Sequence, residues 1–123
     1  YGKVNNSIRT VRDELDYYEN NKKISQKAMS NLIIIKSNAG SSFIALNPLT
    51  GRKHQLRKQL LEIQNPIIGD DKYFLNNIKR IKTKILFLHA YKIKFMINNV
   101  QFNFKAKYNE SFENFLNKTF KYR

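Results

Sequence analysis

Two short apolar runs in the first half of the chain indicate strands. Residues 32–36 and 42–46 flank a segment at 38–42 that is rich in Gly, Ser and Asn. Apolar runs on both sides of such a turn predict a β-hairpin. The polar, basic residues 20–27 that precede it predict a loop.

Residues 7–19 fit two different structures. Val11, Leu15 and Tyr18 recur at helical spacing, and Thr10 followed by Asp13 is typical of a helix cap. An extended, twisted segment fits as well, since it also accommodates the apolar residues Ile8 and Tyr17. The pattern alone leaves both alternatives open.

A second pair of strands is predicted near the end of the chain. Residues 85–97 and 100–107 are joined by Asn98 and Asn99, a dipeptide that favours a tight hairpin turn. Apolar and polar residues alternate over 100–107. We therefore expect one face of this strand to be buried and the other to be hydrated.

Two helices are predicted beside these strands. The first follows Pro48 and Gly51 and ends at Asn65-Pro66. Its apolar stripe consists of Leu56, Leu60, Leu61 and Ile63. Ser111 is predicted to cap the second, whose apolar positions are Phe112, Phe115, Leu116 and Phe120. The fold class is therefore α+β, a mostly antiparallel sheet with two or three helices in one domain over residues 1–123.

Positive charge is concentrated in the middle of the chain. The net charge is +14, and residues 20–109 hold 17 Lys and Arg against three acidic residues. Such a segment favours a polyanionic partner, with nucleic acid ahead of a membrane. The alternative is a composition rich in Lys, Asn and Ile, typical of AT-rich genomes, which raises the charge without a function.

Composition also excludes several classes of protein. The absence of cysteine excludes a disulfide framework, a thiolate zinc site and a thiol nucleophile. The apolar runs are too short to span a membrane, and the first residues lack a signal-peptide pattern. We expect a cytoplasmic protein.

The densest group of chemically active side chains lies at residues 46–57, which read LNPLTGRKHQLR. Their donors suit phosphates, carboxylates or base edges. Arg57 can hold a carboxylate or a phosphate through two parallel hydrogen bonds, and a hydrated helix face is the plain alternative. The Thr50-Gly51 turn favours a site, because it opens a helix beside these donors.

Histidine and aspartate offer weaker alternatives. A metal site at His54 and His89 would need Asp70 or Asp71 as a further ligand. We expect instead that His54 hydrogen-bonds to structure and that His89 caps a strand end. Gly69-Asp70-Asp71 is similar to the paired aspartates of RNA polymerases, but we favour a tight turn in which aspartate accepts backbone hydrogen bonds. No metal site is predicted.

Four stretches in series carry a resemblance to a known family. They are residues 46–57, residues 66–73 (PIIGDDKY), residues 88–91 (LHAY) and a Phe-rich final strand. Over residues 28–116 the chain resembles the C-terminal part of the catalytic domain of ribosomal large-subunit pseudouridine synthases. The resemblance implies an isomerase that detaches uracil from its ribose in RNA, rotates it and rejoins it through carbon. The family uses a catalytic aspartate and no metal or cofactor.

The resemblance also implies roles for residues of this chain. Arg57 matches the arginine that pairs with the catalytic aspartate, and an ion pair keeps that carboxylate ionised in a site dried by a flipped-out base. Leu86 or Leu88 is expected to wall the uracil pocket. The residues expected to bind large-subunit ribosomal RNA are Arg52, Lys53, His54, Gln55, Lys58 and Lys72.

Departures from the family pattern bear on activity. The catalytic aspartate lies in an Arg-Leu-Asp stretch that this sequence lacks, and the active-site tyrosine would fall before Tyr1. Gln59 replaces the usual histidine, and Lys53 replaces a small hydroxyl residue. We therefore expect a C-terminal fragment that lacks the carboxylate partner of Arg57 and is inactive alone.

Two other functions remain open at this point. One is a non-catalytic, basic RNA-binding module, and the other is a basic scaffold without a specific function. A truncated domain would leave sheet edges and apolar surface uncovered, which predicts self-association.

Overall fold

Three antiparallel strands form the first sheet in the order β1-β2-β3. They are β1 (Ile8–Glu19), β2 (Lys22–Ser37) and β3 (Ser42–Pro48). The computed structural model describes residues 8–76, 83 and 85–120, with only the backbone of residues 8, 9 and 17. The chain divides into two compact units, Tyr1–Leu86 and Phe87–Arg123.

Residues 8–19, whose sequence fits both a helix and an extended segment, are extended in the structure, where strand β1 runs over Ile8–Glu19. Val11 and Leu15 are buried, and their even spacing places them on one face of a strand as well as on one face of a helix. Asn20 and Asn21 connect β1 to β2 with φ angles of 49° and 63°. Positive φ at both central residues is what a type I′ hairpin turn requires.

The loop predicted at residues 20–27 is wrong, because β2 begins at the third residue of that range. Its basic side chains face acidic ones in β1. Lys27 lies opposite Glu14 in the strand register, and Lys23 Nζ is 3.3 Å from a carboxylate oxygen of Asp16. Opposite charges across two strands stabilise their pairing, so the polar character that suggested a loop belongs to a hydrated strand.

The predicted hairpin between β2 and β3 is confirmed by the register that runs from Ser30–Pro48 to Ser37–Ser42. Asn38 organises its turn. The Asn38 Oδ1 atom accepts hydrogen bonds from the backbone N–H groups of Gly40 and Ser41, at 2.9 and 2.8 Å. An asparagine side chain that binds the backbone two or three residues on is a typical turn former.

Helix α1 (Gln55–Glu62) lies beside this sheet and confirms the predicted helix. Its Leu60 packs with Leu32 of β2 to form the core of the unit. The predicted apolar stripe is incomplete, because Gln55 and Gln59 also take buried positions on the helix. Burial of glutamine requires hydrogen-bond partners, and these are described with the site.

The second unit contains a hairpin and one helix. The strands are β4 (Lys92–Ile97) and β5 (Val100–Lys105), and the helix is α2 (Glu110–Phe120). Asn98 and Asn99 have φ angles of 50° and 64°, which confirms the predicted turn. The first strand begins at Lys92, seven residues later than predicted. Residues 85–91 are not part of a strand. In that segment the Phe87 ring instead packs 4.3 Å from the ring of Phe115.

The burial predicted for β5 is wrong, since every residue of β4 and β5 is exposed. The alternation itself is present. Phe95, Phe102 and Phe104 stack on one face with ring centroids 5.2 to 6.5 Å apart. A two-stranded hairpin has no sheet of its own to cover that face, so sequence alternation predicts the two faces but not their burial.

The cap of α2 lies two residues earlier than predicted. Asn109 Oδ1, and not Ser111, accepts a hydrogen bond of 2.8 Å from the backbone N–H of Phe112, because the helix starts at Glu110. Phe112 and Leu116 are its buried residues. The two helices and the antiparallel strands confirm the α+β class. No helix in the described ranges is long and apolar enough to cross a membrane.

Candidate functional site

The turn that leads from β3 into α1 is hydrogen-bonded to Met29 in the middle of β2. The Met29 carbonyl accepts hydrogen bonds from the backbone N–H groups of Leu49 and Thr50, at 2.8 and 3.3 Å. The Met29 N–H in turn donates to Thr50 Oγ1 at 3.0 Å. Because three hydrogen bonds meet at one residue of β2, the start of α1 has a fixed place beside the sheet.

Gln55 is buried at the start of α1 with every hydrogen-bonding position of its side chain occupied. Its Oε1 atom accepts from Thr50 Oγ1 at 2.6 Å and from the Arg52 N–H at 3.0 Å. Its Nε2 atom donates to the Met29 carbonyl at 3.1 Å and to Ser30 Oγ at 2.8 Å. A glutamine amide has two acceptor positions and two donors. The RNA-binding role of Gln55 stays a prediction, and every donor and acceptor of its side chain already has a partner within the protein.

Gln59 extends this network one turn further along α1. Ser30 Oγ donates to Gln59 Oε1 at 2.6 Å, and Gln59 Nε2 donates to the carbonyls of Val11 and Ala28, both at 3.3 Å. The residue thus contacts β1 and β2 from a position that is 2% exposed. Sequence reasoning noted Gln59 only as a departure from a family pattern and missed its structural role.

We expect Gln55→Leu to lower the free energy of unfolding by about 3 kcal/mol. The change leaves the half-buried Thr50 hydroxyl and Arg52 N–H without their acceptor, and each donor stranded in this way costs about 1–3 kcal/mol when it is buried. Urea denaturation followed by circular dichroism measures the loss. Gln101→Leu, at an exposed position of β5, is the matched control and should change the value by less than about 0.5 kcal/mol. Equal effects of the two changes would contradict a structural role of the network.

Arg57 forms a two-pronged ion pair with Asp70. Its Nε atom donates to Asp70 Oδ2 at 2.8 Å, and its Nη2 atom donates to Asp70 Oδ1 at 2.7 Å. The Asp70 side chain is completely buried, whereas that of Arg57 is 18% exposed. The catalytic aspartate expected to pair with Arg57 stays a prediction, and Asp70 is a carboxylate partner within this chain that sequence reasoning did not assign. The missed signal is an aspartate placed in the turn that follows α1.

The predicted turn at Gly69-Asp70 is confirmed. Asp70 Oδ1 also accepts hydrogen bonds from the backbone N–H groups of Lys72 and Tyr73, at 3.0 and 2.9 Å. Burial acts to raise the pKa of the Asp70 carboxyl, but the hydrogen bonds from Arg57 and from these two N–H groups hold that pKa below its ordinary value. The carboxylate is thus ionised, and it accepts hydrogen bonds from both the turn and Arg57.

Tyr73 joins the ion pair to the start of the helix. Its ring lies 4.9 Å from Arg57 Cζ, a distance suited to a cation–π contact. Its hydroxyl shares a hydrogen bond of 2.9 Å with His54 Nδ1, which confirms the expectation that His54 bonds to structure. Burial first, and then the neighbouring charges of Arg57 and Lys72, lower the pKa of His54. Sequence reasoning missed Tyr73 as a member of this group.

The predicted RNA-binding lysines gather around this group. Burial first, and then the charges of Lys72 and Lys53, lower the pKa of Lys58. Lys58 Nζ also donates to the Asp16 carbonyl at 3.5 Å. Arg52 Nε donates to the Lys27 carbonyl at 2.9 Å, which fixes Arg52 against β2. The structure therefore brings together four of the predicted RNA-binding residues, His54, Lys53, Lys58 and Lys72, with Arg57.

The remaining predicted residues lie in two different units. The backbone of Leu86 passes beside the Gly69 turn, where a Cβ atom on Gly69 would lie 3.1 Å from Leu86 Cα. Leu88 is exposed in the second unit. His89 Nε2 shares a hydrogen bond of 3.0 Å with the Ala106 carbonyl just beyond β5, which confirms its role at a strand end. The described residues contain no group of three or more His, Asp or Glu placed to hold a metal ion.

Comparison with curated proteins finds similar sequences among RNA-modifying enzymes. The chain is 34% identical over 105 residues to ribosomal large subunit pseudouridine synthase C of Rickettsia felis, with 76% of this chain and 33% of the relative covered. It is 27% identical over 124 residues to ribosomal large subunit pseudouridine synthase D of Borreliella burgdorferi, and this alignment covers 98% of the chain and 37% of the relative. No protein-family model matches the chain.

Solved structures show the same fold. Human RNA Pseudouridylate Synthase Domain Containing 4 superposes with a TM-score of 0.70 at 21% identity, over 92% of this chain and 56% of its own. The chain spans less than two fifths of the length of the curated relatives that it matches. The sequence similarity and the shared fold agree, and the chain belongs to the RNA pseudouridine synthase family that includes the ribosomal large-subunit enzymes.

Proposed function

We propose that this chain forms one wall of the active site of an RNA pseudouridine synthase that acts on large-subunit ribosomal RNA. The reaction breaks the bond from ribose C1′ to uracil N1 and forms a bond from C1′ to C5. Uracil loses the proton on C5 and gains a proton on N1. The observation that carries the proposal is Arg57, a half-buried guanidinium held in one orientation at the centre of a basic cluster.

Arg57 would act on the catalytic carboxylate of this reaction. A guanidinium beside a carboxylate favours its ionised form, which a dry, base-filled site would otherwise disfavour. The aspartate would come from an Arg-Leu-Asp stretch, which residues 1–123 lack, so the proposal requires that stretch elsewhere in the protein. Leu86, next to the Gly69 turn, would contribute an apolar wall for uracil, and Leu88 stays a prediction from the family resemblance.

The proposal needs no metal or cofactor and, because ribosomal RNA is the substrate, it places the activity in the cytoplasm. The test uses the complete gene product that carries this sequence. Release of tritium from C5-labelled uridine in a large-subunit RNA transcript measures the reaction, with a transfer-RNA transcript for comparison. Tritium release with pseudouridine in the product supports the proposal. A folded gene product that binds the transcript but releases no tritium would favour the second function.

The second function is a non-catalytic RNA-binding module. It is favoured by the cluster of Lys53, Lys58 and Lys72 around His54. Both functions require contact with RNA phosphates. They differ in isomerisation, which only the first predicts.

We expect RNA binding by this chain to weaken steeply with salt, because lysines that neutralise phosphates release counterions. Changing Lys53, Lys58 and Lys72 together to glutamine should reduce the slope of log K against log salt by about 2, at ~0.7 per phosphate contact with single strands. Fluorescence anisotropy with a labelled RNA measures the slope. Exposed lysines outside the cluster provide the matched control, Lys36, Lys94 and Lys118. A slope that both triple variants reduce equally would contradict a defined RNA-binding face.

The proposal also includes self-association of the isolated chain. The apolar face of the β4–β5 hairpin is exposed, with Ile93 at 58% and Phe104 at 56%, and an uncovered apolar face of this kind favours pairing between chains. Light scattering on a concentration series is expected to show a mass above that of the monomer. Ile93→Lys should restore the monomer, and a monomer of the unchanged chain at all concentrations would contradict this part of the proposal.

A further inference from the structure

The Asp70 carboxylate is more fully engaged than a turn requires. Two backbone N–H groups, from Lys72 and Tyr73, already satisfy the turn through Oδ1. Arg57 adds a third hydrogen bond to Oδ1 and one to Oδ2. A buried carboxylate needs its charge compensated, and here one side chain of α1 supplies that compensation.

The geometry of the pair determines which donors of Arg57 are in use. Asp70 occupies the edge of the guanidinium formed by Nε and Nη2. Nη1, on the opposite edge, has no hydrogen-bond partner within residues 8–76, 83 and 85–120. A guanidinium carries five N–H donors in a rigid plane, so fixing one edge also fixes the direction in which the other points.

Tyr73 fixes the plane of the guanidinium as well. Its ring lies over Arg57 Cζ at 4.9 Å, and the hydrogen bond of its hydroxyl to His54 Nδ1 holds that ring in place. The Arg57 side chain is 18% exposed, so it is not fully closed off from solvent although Asp70 and Tyr73 hold it.

We propose that Asp70 is a positioning residue that holds Arg57 by its Nε–Nη2 edge and thereby presents the Nη1 edge to an oxyanion of the RNA-modifying site. The inference rests on the proposed function for the identity of that oxyanion, which the proposed function takes to be the catalytic carboxylate; an RNA phosphate is the other source of the same chemistry, and the experiments below distinguish the two. The orientation of Arg57 by Asp70 does not depend on it.

The first experiment tests the orientation on this chain alone, without any activity. An Arg57 Nε–H that is hydrogen-bonded to a buried carboxylate should exchange slowly with water and give its own ¹H–¹⁵N signal at neutral pH. Asp70→Asn keeps the shape of the side chain and removes its charge, and it should speed this exchange by about tenfold or more. Asp71→Asn is the matched control, because the Asp71 side chain is 94% exposed and 3.9 Å from Nη2. Unchanged exchange in Asp70→Asn overturns the inference.

The second experiment tests the consequence for function. In the complete gene product, Asp70→Asn should impair the reaction by about tenfold to a hundredfold, since small misplacement of a positioned group has effects of this size. A fall in kcat with unchanged KM identifies the oxyanion as a carboxylate, and a rise in KM with weaker RNA binding identifies it as a phosphate. Unchanged kcat and KM overturn the inference.

A double-mutant cycle shows whether Asp70 acts through Arg57. Asp70→Asn should add no further effect to Arg57→Ala if its role is to position that arginine, and additive losses overturn the inference. If Asp70→Asn does not fold, Arg57→Lys provides the test, because an ammonium keeps the charge but has no second edge. A wild-type rate in Arg57→Lys overturns the inference. A gene product that makes no pseudouridine refutes the proposed function, while the exchange experiment still decides the orientation.

Discussion

Replacing Arg57 with alanine is expected to lower the rate of pseudouridine formation by the complete gene product on the order of 10²–10³-fold, the effect typical of removing one preorganised charged donor from an active site. The loss should appear in kcat, because the guanidinium is proposed to keep the catalytic carboxylate ionised and aimed. RNA affinity should change little, since the neighbouring lysines remain. Single-turnover tritium release at saturating enzyme measures the chemical step directly.

Loss of fold must be separated from loss of chemistry in this variant. Alanine at position 57 leaves the fully buried Asp70 carboxylate without its cation, and breaking a buried pair in this way destabilises a protein by about 3–5 kcal/mol. The double variant Arg57→Ala with Asp70→Asn removes the stranded charge, so it should recover stability without recovering activity. Arg12→Ala, an exposed arginine of β1, is the matched control for the loss of positive charge. Activity near the wild-type value in a folded Arg57 variant would exclude the proposed role.

Local patterns in the sequence predict the local structures of this fold well. Asn98 and Asn99 adopt the left-handed φ angles of a hairpin turn, because asparagine tolerates that region of φ and ψ. The helix after Gly51 and the turn at Asp70 follow in the same way from residues close together in sequence. These elements depend on neighbouring residues, which a single sequence displays.

Interactions between distant residues explain where sequence reasoning failed. The basic segment that begins β2 forms a strand because Glu14 and Asp16, about ten residues earlier, face its lysines. The apolar residues of β5 are exposed although their alternation predicts burial, because alternation contains no information about what covers a face. In both cases the partner decides the structure, and the partner is not adjacent in the sequence.

The same distinction holds within the site. Arg57 was identified by its motif, but its pairing with Asp70 spans 13 residues and depends on the direction in which the chain leaves α1. Gln55 belongs to the same motif and faces the opposite way, into a network with Ser30 of β2. One motif therefore contains both structural residues and residues that can contact a substrate. Only their burial in the folded protein distinguishes the two kinds.

Substitution of Gly69 by alanine is expected to lower the free energy of unfolding by about 4 kcal/mol. Gly69 has a φ of +89°, and a Cβ atom there would lie 1.8 Å from the Ile85 carbonyl oxygen. A residue held in a disfavoured backbone region costs about 1–3 kcal/mol, and overpacking against neighbouring atoms adds about 1–3 kcal/mol. The obstacle is backbone rather than a flexible side chain, so relaxation requires that the segment of Ile85 and Leu86 move away from the turn.

Gly51→Ala is the matched control, because a Cβ atom on Gly51 would meet no atom within 4 Å. That change should leave stability within about 1 kcal/mol of the original or raise it slightly, since alanine restricts the unfolded chain. Chemical denaturation of both variants provides the comparison. Displacement of Leu86 should also weaken the proposed uracil wall, so a folded Gly69→Ala protein should lose reaction rate while the exchange of the Arg57 Nε–H stays slow. Equal stability of the two alanine variants would show that the Gly69 turn and residues 85–86 are not in close contact.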